Sequence, residues 1–491
     1  MRRRSLLTAT LPALLPWPAL AGQVPERPLQ IGQAFLAEGL DPVQGSAGWA
    51  LQSHGVAETL FTVDRRGTAV PNLATGARAE GESWLVSLQA GLRFSDGTPL
   101  DAQAAAASLS RAVRGNPRAA TGLGREAGFE AVDATTLRIR PARPVAALAP
   151  LLAEFPLVIH RPTAAAPVFT GPWRVTGFRA GDRITLESNP HHRDGVARRP
   201  AVIRRVADPA ALAIGLESGE LDLAFGLVPE TLDRLRRVAG VAVRSFPVAY
   251  QYMIMANTRR PALADPQVRR ALSLALDRGQ LARALLGGAP ASGLFPAWMP
   301  WALPDPLPHD RAAAAALLDG AGWPLQGGLR RRDGQVLEVT LAAYPQRPDF
   351  LALAPLVRAQ WEALGLRVAT RVVENGTAAL QSGDFDLLFW TTHVAPGGDP
   401  SFAFEQYART GAPLNGMGFS DPALDGVLDR LRSEPGTEAR ATLAREAGAR
   451  LNALAPVLFL LTPEWHLGTS ARLGTYEPFP SDYYILHAGV R

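Results

Sequence analysis

The sequence predicts an α/β protein, and three observations carry that expectation. Residues 216–225 (LESGELDLAF) and 380–389 (LQSGDFDLLF) share six of ten positions, 164 residues apart. Each copy reads as a helix end, a Gly at the C-cap, an acidic turn and an apolar strand. Strand and helix patterns alternate throughout, with no low-complexity tract and no repeat of 20–50 residues. The echo has two readings. One is chance reuse of a common helix-to-strand connection; the other is a pair of similar lobes, which would bind a ligand between them near the ends of these strands.

The elements follow in order. Residues 29–35 read as a first strand, and 84–94 as strand and turn, closed by the turn signal Ser95-Asp96-Gly97-Thr98-Pro99. Residues 101–113 are Ala-rich and helical, and 136–139 are strand-like. Thr170-Gly171-Pro172-Trp173 opens a strand–turn–strand run through residue 186, and 208–216 form the helix before the first echo. Residues 250–256 (YQYMIMA) are an apolar run with the character of a buried strand. Asp265-Pro266 starts a helix, Asp as N-cap and Pro at N1, with Val268, Ala271, Leu272, Ala275 and Leu276 on its buried face. A helix over 310–318 stops at Gly320 and Gly322, and Asp333-Gly334 marks a hairpin before a strand at 336–341. A helix over 351–364 capped by Gly365, a strand over 367–373 and the second echo follow, then a largely helical 423–451 and a short strand at 457–461.

The chain has 491 residues, enough for about three domains of ordinary size. Its 47% hydrophobic and 19% charged residues mark a folded protein. There is no Cys, which excludes disulfides, thiolate metal sites, thiol catalysis and a lipid-anchored N-terminal cysteine. All 50 basic residues are Arg, so Schiff-base lysines and a P-loop are excluded as well. These arginines are scattered among 45 acids, which gives nucleic-acid binding little support. Arg2–Arg4, an apolar stretch from Leu6 to Trp17 and Ala19-Leu20-Ala21 predict an export signal over residues 1–21, cleaved near Ala21. Arg3-Arg4-Ser5-Leu6-Leu7 resembles a twin-arginine signal; a general secretory signal fits too. No later segment has about 20 uninterrupted apolar residues, so a soluble exported protein is expected.

Six motifs, in order, resemble the extracellular solute-binding proteins of ABC importers, in the large peptide/nickel family. They are Glu58-Thr59-Leu60 with Pro71-Asn72-Leu73-Ala74; Leu92-Arg93-Phe94-Ser95-Asp96-Gly97-Thr98-Pro99-Leu100; Thr170-Gly171-Pro172-Trp173; Ser218-Gly219-Glu220 with Asp222; Ala256-Asn257-Thr258 with Asp265-Pro266 and Val268-Arg269-Arg270-Ala271-Leu272; and Leu317-Leu318 with Ala321-Gly322-Trp323. The resemblance implies the two-lobed periplasmic binding protein fold of the large type II class, with an extra N-terminal subdomain and a ligand cleft between lobes. It implies lobe I over 22–249 with an inserted subdomain at about 47–162, lobe II over 250–462, and a return to lobe I over 463–491. Hinge segments are expected near 250–257 and 461–466. The implied function is a periplasmic, monomeric, non-enzymatic receptor that takes a small-molecule or peptide ligand, needs no cofactor and delivers to permease subunits in the inner membrane.

The ligand divides the readings. Peptide-binding members carry an Asp after the second echo strand, facing the peptide's amino group; here the position holds His393, which cannot replace a carboxylate opposite an ammonium. Ala395-Pro396, Asp399-Pro400 and Phe402 look nearer the nickel-binding branch, which holds a nickel chelate with one His on a later loop. Here the loop 407–419 has no His, and the branch's chelator-binding Arg has no counterpart near 154–162, although Arg118 matches a second one. The candidate ligand contacts are Trp49, Arg118, Trp390, His393, Tyr407 and Asn415, each with a plain packing role as its alternative. His191-His192 sits in a surface turn, and adjacent histidines on one strand face chelate poorly, so no metal ligands are assigned. Nickel chelates, opine-like conjugates and di- or oligopeptides stay open as ligands. An exported hydrolase lacks Gly-x-Ser-x-Gly, His-Glu-x-x-His and Ser-x-x-Lys motifs; a periplasmic chaperone or scavenger remains the other alternative.

Overall fold

The computed structural model describes residues 27–490. The expected export signal lies outside these residues. Two large sheets dominate. The first has seven strands, in the order Trp173–Arg179, Arg183–Ser188, Ala201–Arg205, Leu29–Gln33, Leu223–Phe225, Glu464–Ser470 and Val241–Pro247. The second has six: Ala289–Pro290, Val457–Thr462, Tyr250–Ala256, Leu387–His393, Glu338–Ala343 and Arg367–Val372. The chain leaves the first sheet at Pro247 and enters the second at Tyr250; it leaves the second at Thr462 and re-enters the first at Glu464. These crossings are two residues and one residue long. The expected hinge at 250–257 is therefore displaced: Tyr250–Ala256 is buried along its whole length and paired on both edges, which holds it as a strand of the second sheet.

Both echoes form the expected connection. Helix Pro209–Glu217 runs into Gly219 (φ 73°) and strand Leu223–Phe225; helix Gly376–Ser382 runs into Gly383 (φ 67°) and strand Leu387–His393. A left-handed φ is free of steric cost only for glycine, which is why both turns carry one. Each echo strand lies between a parallel partner and an antiparallel strand adjoining a crossing. The partners are Leu29–Gln33 and Glu464–Ser470 in one sheet, Glu338–Ala343 and Tyr250–Ala256 in the other.

Local signals held where a side chain serves its own backbone. Asp265 caps helix Pro266–Leu274 through the N–H of Gln267 (2.8 Å), and Asp101 caps Ala102–Gly115 through that of Ala104 (2.8 Å). Asp333 and Gly334, with φ 52° and 79°, turn the hairpin of Leu329–Arg332 and Gln335–Val336.

A third sheet, Ala74–Glu80, Ser83–Leu88, Thr136–Arg140 and Gly128–Ala131, packs with helix Ala102–Gly115 around a core of its own. That core runs from Leu60 to Ile159. Helix Ala47–Ser53 falls outside it: Ala50 and Leu51 join the large core with Leu29 and Ile31. The subdomain touches the second sheet's half of the molecule. The Ala146 N–H donates to the Arg432 carbonyl (3.2 Å), and Gly397 and Gly398 lie so close to the backbone of Pro150 and Gly67 that a Cβ would sit 2.0 and 2.3 Å from their carbonyl oxygens. No helix among the described residues is long and apolar enough to cross a membrane.

Candidate functional site

Strand ends from both sheets converge on one large cleft, enclosing about 1860 Å³ of space open to solvent. Phe35, just beyond Leu29–Gln33, and Trp49, on helix Ala47–Ser53, form one wall, stacked at 4.3 Å. Tyr250, Trp390 and His393 come from the paired strands of the second sheet, and Tyr344 and Arg347 from the turn after Glu338–Ala343. Tyr483 reaches in from the C-terminal tail, and Gln406 and Tyr407 from the short helix Phe404–Ala408. Ligand sites of open α/β sheets form beyond the strand ends, and this one follows that rule.

Five of the six residues singled out from sequence line this cleft. Trp49 donates its indole N–H to Asp482 (3.1 Å). Trp390 meets Tyr344 and Tyr407 edge-on at 6.1 and 6.2 Å, and its buried Nε1 has no partner. Tyr407 donates to Thr392 Oγ1 (3.0 Å). Arg118, in the first turn of helix Pro117–Leu123, has no ion pair or side-chain hydrogen bond among the described residues. His393 Nδ1 accepts the N–H of Ala395 (3.2 Å), and burial drives its pKa down to about 3. The ring is therefore neutral with its proton on Nε2. Asn415 does not line the cleft. Its amide donates to the carbonyls of Arg409 and Phe419 and accepts from the N–H of Phe419, so it braces its own loop, and Leu414 lines the cleft beside it.

Sequence reasoning missed Arg347, Tyr344, Tyr483 and Asp482. The Arg347 guanidinium lies 5.0 Å from the Trp465 ring centre, 5.8 Å from that of Tyr250 and 3.7 Å from Asp482, without a hydrogen bond. Burial raises the pKa of Asp482, which already accepts from Trp49 and Tyr250. The signal for Arg347 was positional: it follows the strand that runs parallel beside the second echo. Some of the unmet polar groups face the cleft. Among the described residues, donors there without a hydrogen-bond acceptor are the guanidinia of Arg118 and Arg347, the latter held only by its ion pair with Asp482, and Trp390 Nε1–H and His393 Nε2–H; unmatched acceptors are Thr391 Oγ1 and Gln406 Oε1. Among the described residues, the carboxylates lining it are Glu38 and Glu374, and both are exposed. Among the described residues no three His, Asp or Glu side chains are placed to hold a metal ion.

The family model of bacterial extracellular solute-binding proteins, family 5 Middle, matches residues 68–413. The chain belongs to that family. It is a family 5 solute-binding protein of the ABC-importer type, with the two-lobed type II fold expected from its motifs. It is 30% identical over 400 residues to Protein XP55 of Streptomyces lividans, covering 75% of this chain and 70% of that one. It is 25% identical over 437 residues to the glutathione-binding protein GsiB of Pectobacterium atrosepticum, covering 83% and 82%. The crystal structure of NikA from Staphylococcus aureus in complex with Ni(L-His)2 superposes with a TM-score of 0.85 at 18% identity, over 94% of this chain and 99% of that one.

Proposed function

We propose that this family 5 protein captures a small organic anion in the periplasm and hands it to inner-membrane permease subunits, acting as a cleaved, lipid-free monomer without catalysis. Of the described residues, one lobe comprises 27–249 and 463–490, the other 250–462, and they close about the crossings at 247–250 and 462–464. The observation that carries the ligand class is the set of donors without acceptors in an aromatic cleft: Arg118, Arg347, Trp390 and His393. Buried donors left unpaired are costly, and a carboxylate or phosphate answers them with strong charge-assisted bonds. Flat aromatic walls favour a ligand with planar groups. A neutral His393 offers an N–H where an ammonium-binding carboxylate would be needed, which weighs against ordinary peptide capture through that position. Glutathione, the ligand named for one relative, is a polycarboxylate of the expected size.

A thermal-shift and calorimetric screen of glutathione, di- and oligopeptides, nickel–histidine chelates and opine-like conjugates tests this reading. A ligand with carboxylate groups is expected to raise the melting temperature and reduce the radius of gyration. Arg347→Met is expected to weaken its binding by about tenfold or more while the free protein stays folded. Turnover of a ligand without compaction would overturn the binding reading; affinity unchanged in Arg347→Met would overturn the anion assignment.

A further inference from the structure

A second, much smaller cavity, with about 30 Å³ of room for water, lies where the inserted subdomain meets residues 399–440, and the acids Asp399, Glu405 and Glu154 line it beside Arg432 and Arg440. The unserved acid among them is Glu154. This side chain sits in a residue only 5% exposed, and among the described residues its carboxylate accepts no hydrogen bond and pairs with no cation. The two neighbouring acids are already served. Asp399 pairs with Arg440 and accepts the Ser401 N–H (2.8 Å); Glu405 takes Arg409 through both oxygens (2.6 and 2.8 Å) and Arg432 (2.8 Å). The three arginines facing the cavity's acids are thereby committed elsewhere. Gln406, 1% exposed, supplies a second unmet acceptor: its Nε2 donates to the Arg118 carbonyl (3.4 Å), which leaves Oε1 without a donor.

We propose that Glu154 and Gln406 form a subsite for an ammonium or guanidinium group, carried by the same solute whose anionic end meets Arg118 and Arg347. The proposal rests on the reading of the inter-lobe cleft as the ligand site, and it makes the solute a zwitterion with separated charges. Phe402 and Gln406 line both cavities, so these two side chains stand between the cleft and Glu154, and a ligand arm would have to displace them to reach it. A proton on Glu154 cancels its charge and supplies one O–H donor, whereas a nitrogen with several N–H bonds keeps the carboxylate charged and has donors for Gln406 Oε1 as well. Such a group also explains how the protein manages without an acid at position 393: the counter-charge has moved to the subdomain face. Burial, then the charges of Asp399 and Glu405, push the Glu154 carboxyl well above the usual carboxylate range. A cation that binds there displaces a proton, so binding releases one to the buffer.

The test uses a homologous series of ω-amino carboxylates, from 4-aminobutanoate to 8-aminooctanoate, each paired with the unsubstituted alkanoate of equal length. Calorimetry compares the wild-type protein with Glu154→Gln and Gln406→Leu. The wild type is expected to bind the best-fitting amino carboxylate about tenfold or more tightly than its alkanoate, with proton release read from buffers of different ionisation enthalpy. Both variants are expected to lose that preference and the proton release; Glu154→Gln, which lies outside the lining of the main cleft, is expected to keep the alkanoate affinity, which also reports an intact cleft. A preference that survives in Glu154→Gln overturns the subsite, as does an amine that adds nothing in the wild type; in both cases the cleft reading stands. If no member of the series binds, the zwitterion assignment falls, and the cleft reading falls with it only if the wider ligand screen is also empty.

Discussion

In the first echo, Asp222 accepts the N–H of Gln30 (2.9 Å) on the neighbouring parallel strand; in the second, Asp386 accepts that of Thr340 (2.9 Å) on the equivalent strand. Ser218 and Ser382 receive the N–H two residues on in each turn, at 3.4 and 3.2 Å. The shared residues therefore do shared structural work: they end a helix, start a strand and tie it to its neighbour. The copies part at the far end. Leu223–Phe225 stops after three residues at Gly226 (φ 91°), whereas Leu387–His393 runs seven and delivers Trp390 and His393 to the cleft. One connection built both halves, and the length of the strand after it decided which half presents ligand-facing side chains at that place. The other half presents Phe35 and Trp49 from elsewhere.

The largest test of this equivalence is the echo phenylalanine. Phe225 and Phe389 are 5% and 0% exposed, and each change to Ala is expected to cost about 3–5 kcal/mol in denaturant unfolding. A cost below about 1 kcal/mol in either would break the parallel between the two halves.

The aspartates sharpen it. Asp222 is 1% exposed at the side chain and also accepts from Ser470 (3.0 Å), while Asp386 is 28% exposed with Arg260 at 3.1 Å. Asp222→Ala is expected to cost about 2–3 kcal/mol and Asp386→Ala about 1, because the exposed site lets water replace the carboxylate. Equal losses would show that burial does not separate the two.

A smaller effect belongs to the strand end that only the second copy has. The pKa of His393 is about 3 in the fold, below its unfolded value near 6.5. The neutral ring's contribution is whole above pH 6.5 and is lost as pH falls toward 3, with a slope of about 1 kcal/mol per pH unit. His393→Gln is expected to flatten the acid limb of the stability profile by that amount; an unchanged limb would mean the ring is solvated. His54, buried with both ring nitrogens unpartnered and a pKa also about 3, keeps its own share in that variant.

The smallest expected difference lies in the turn glycines. A Cβ at Gly219 meets nothing within 4 Å; one at Gly383 meets the far end of the flexible Arg259 side chain and, at an ordinary 3.7 Å, the Gly416 carbonyl oxygen. Each change to Ala is expected to cost about 1 kcal/mol from the left-handed backbone, with Gly383 the larger by a few tenths. Thermal unfolding of the two variants side by side reads the gap.

Much of the scaffold was legible because its signals are local. The cap at Asp265, the Asp333-Gly334 turn, the buried run Tyr250–Ala256 and both echoes depend on residues within a few positions of each other. Asn415 sits on a loop beside the cleft, and its amide satisfies neighbours at most six residues away, which the sequence did not reveal. Arg347 and Glu154 were not legible because nothing next to them in sequence distinguishes them from the chain's other arginines and acids.

By itself, then, the sequence determined the α/β class, the paired connections and the family, since propensity, capping and turn chemistry act between near neighbours. The tertiary structure decided which charges go without partners. Trp49 and Tyr250 reach Asp482 across 433 and 232 residues, and Asp399 takes Arg440 across 41. Those long-range pairings consume some charges, leave Arg118 and Glu154 without a partner among the described residues, and leave Arg347 with one long ion pair to Asp482 at 3.7 Å. Burial then makes the unmatched ones costly enough to specify a ligand, and burial is a property of the folded chain alone.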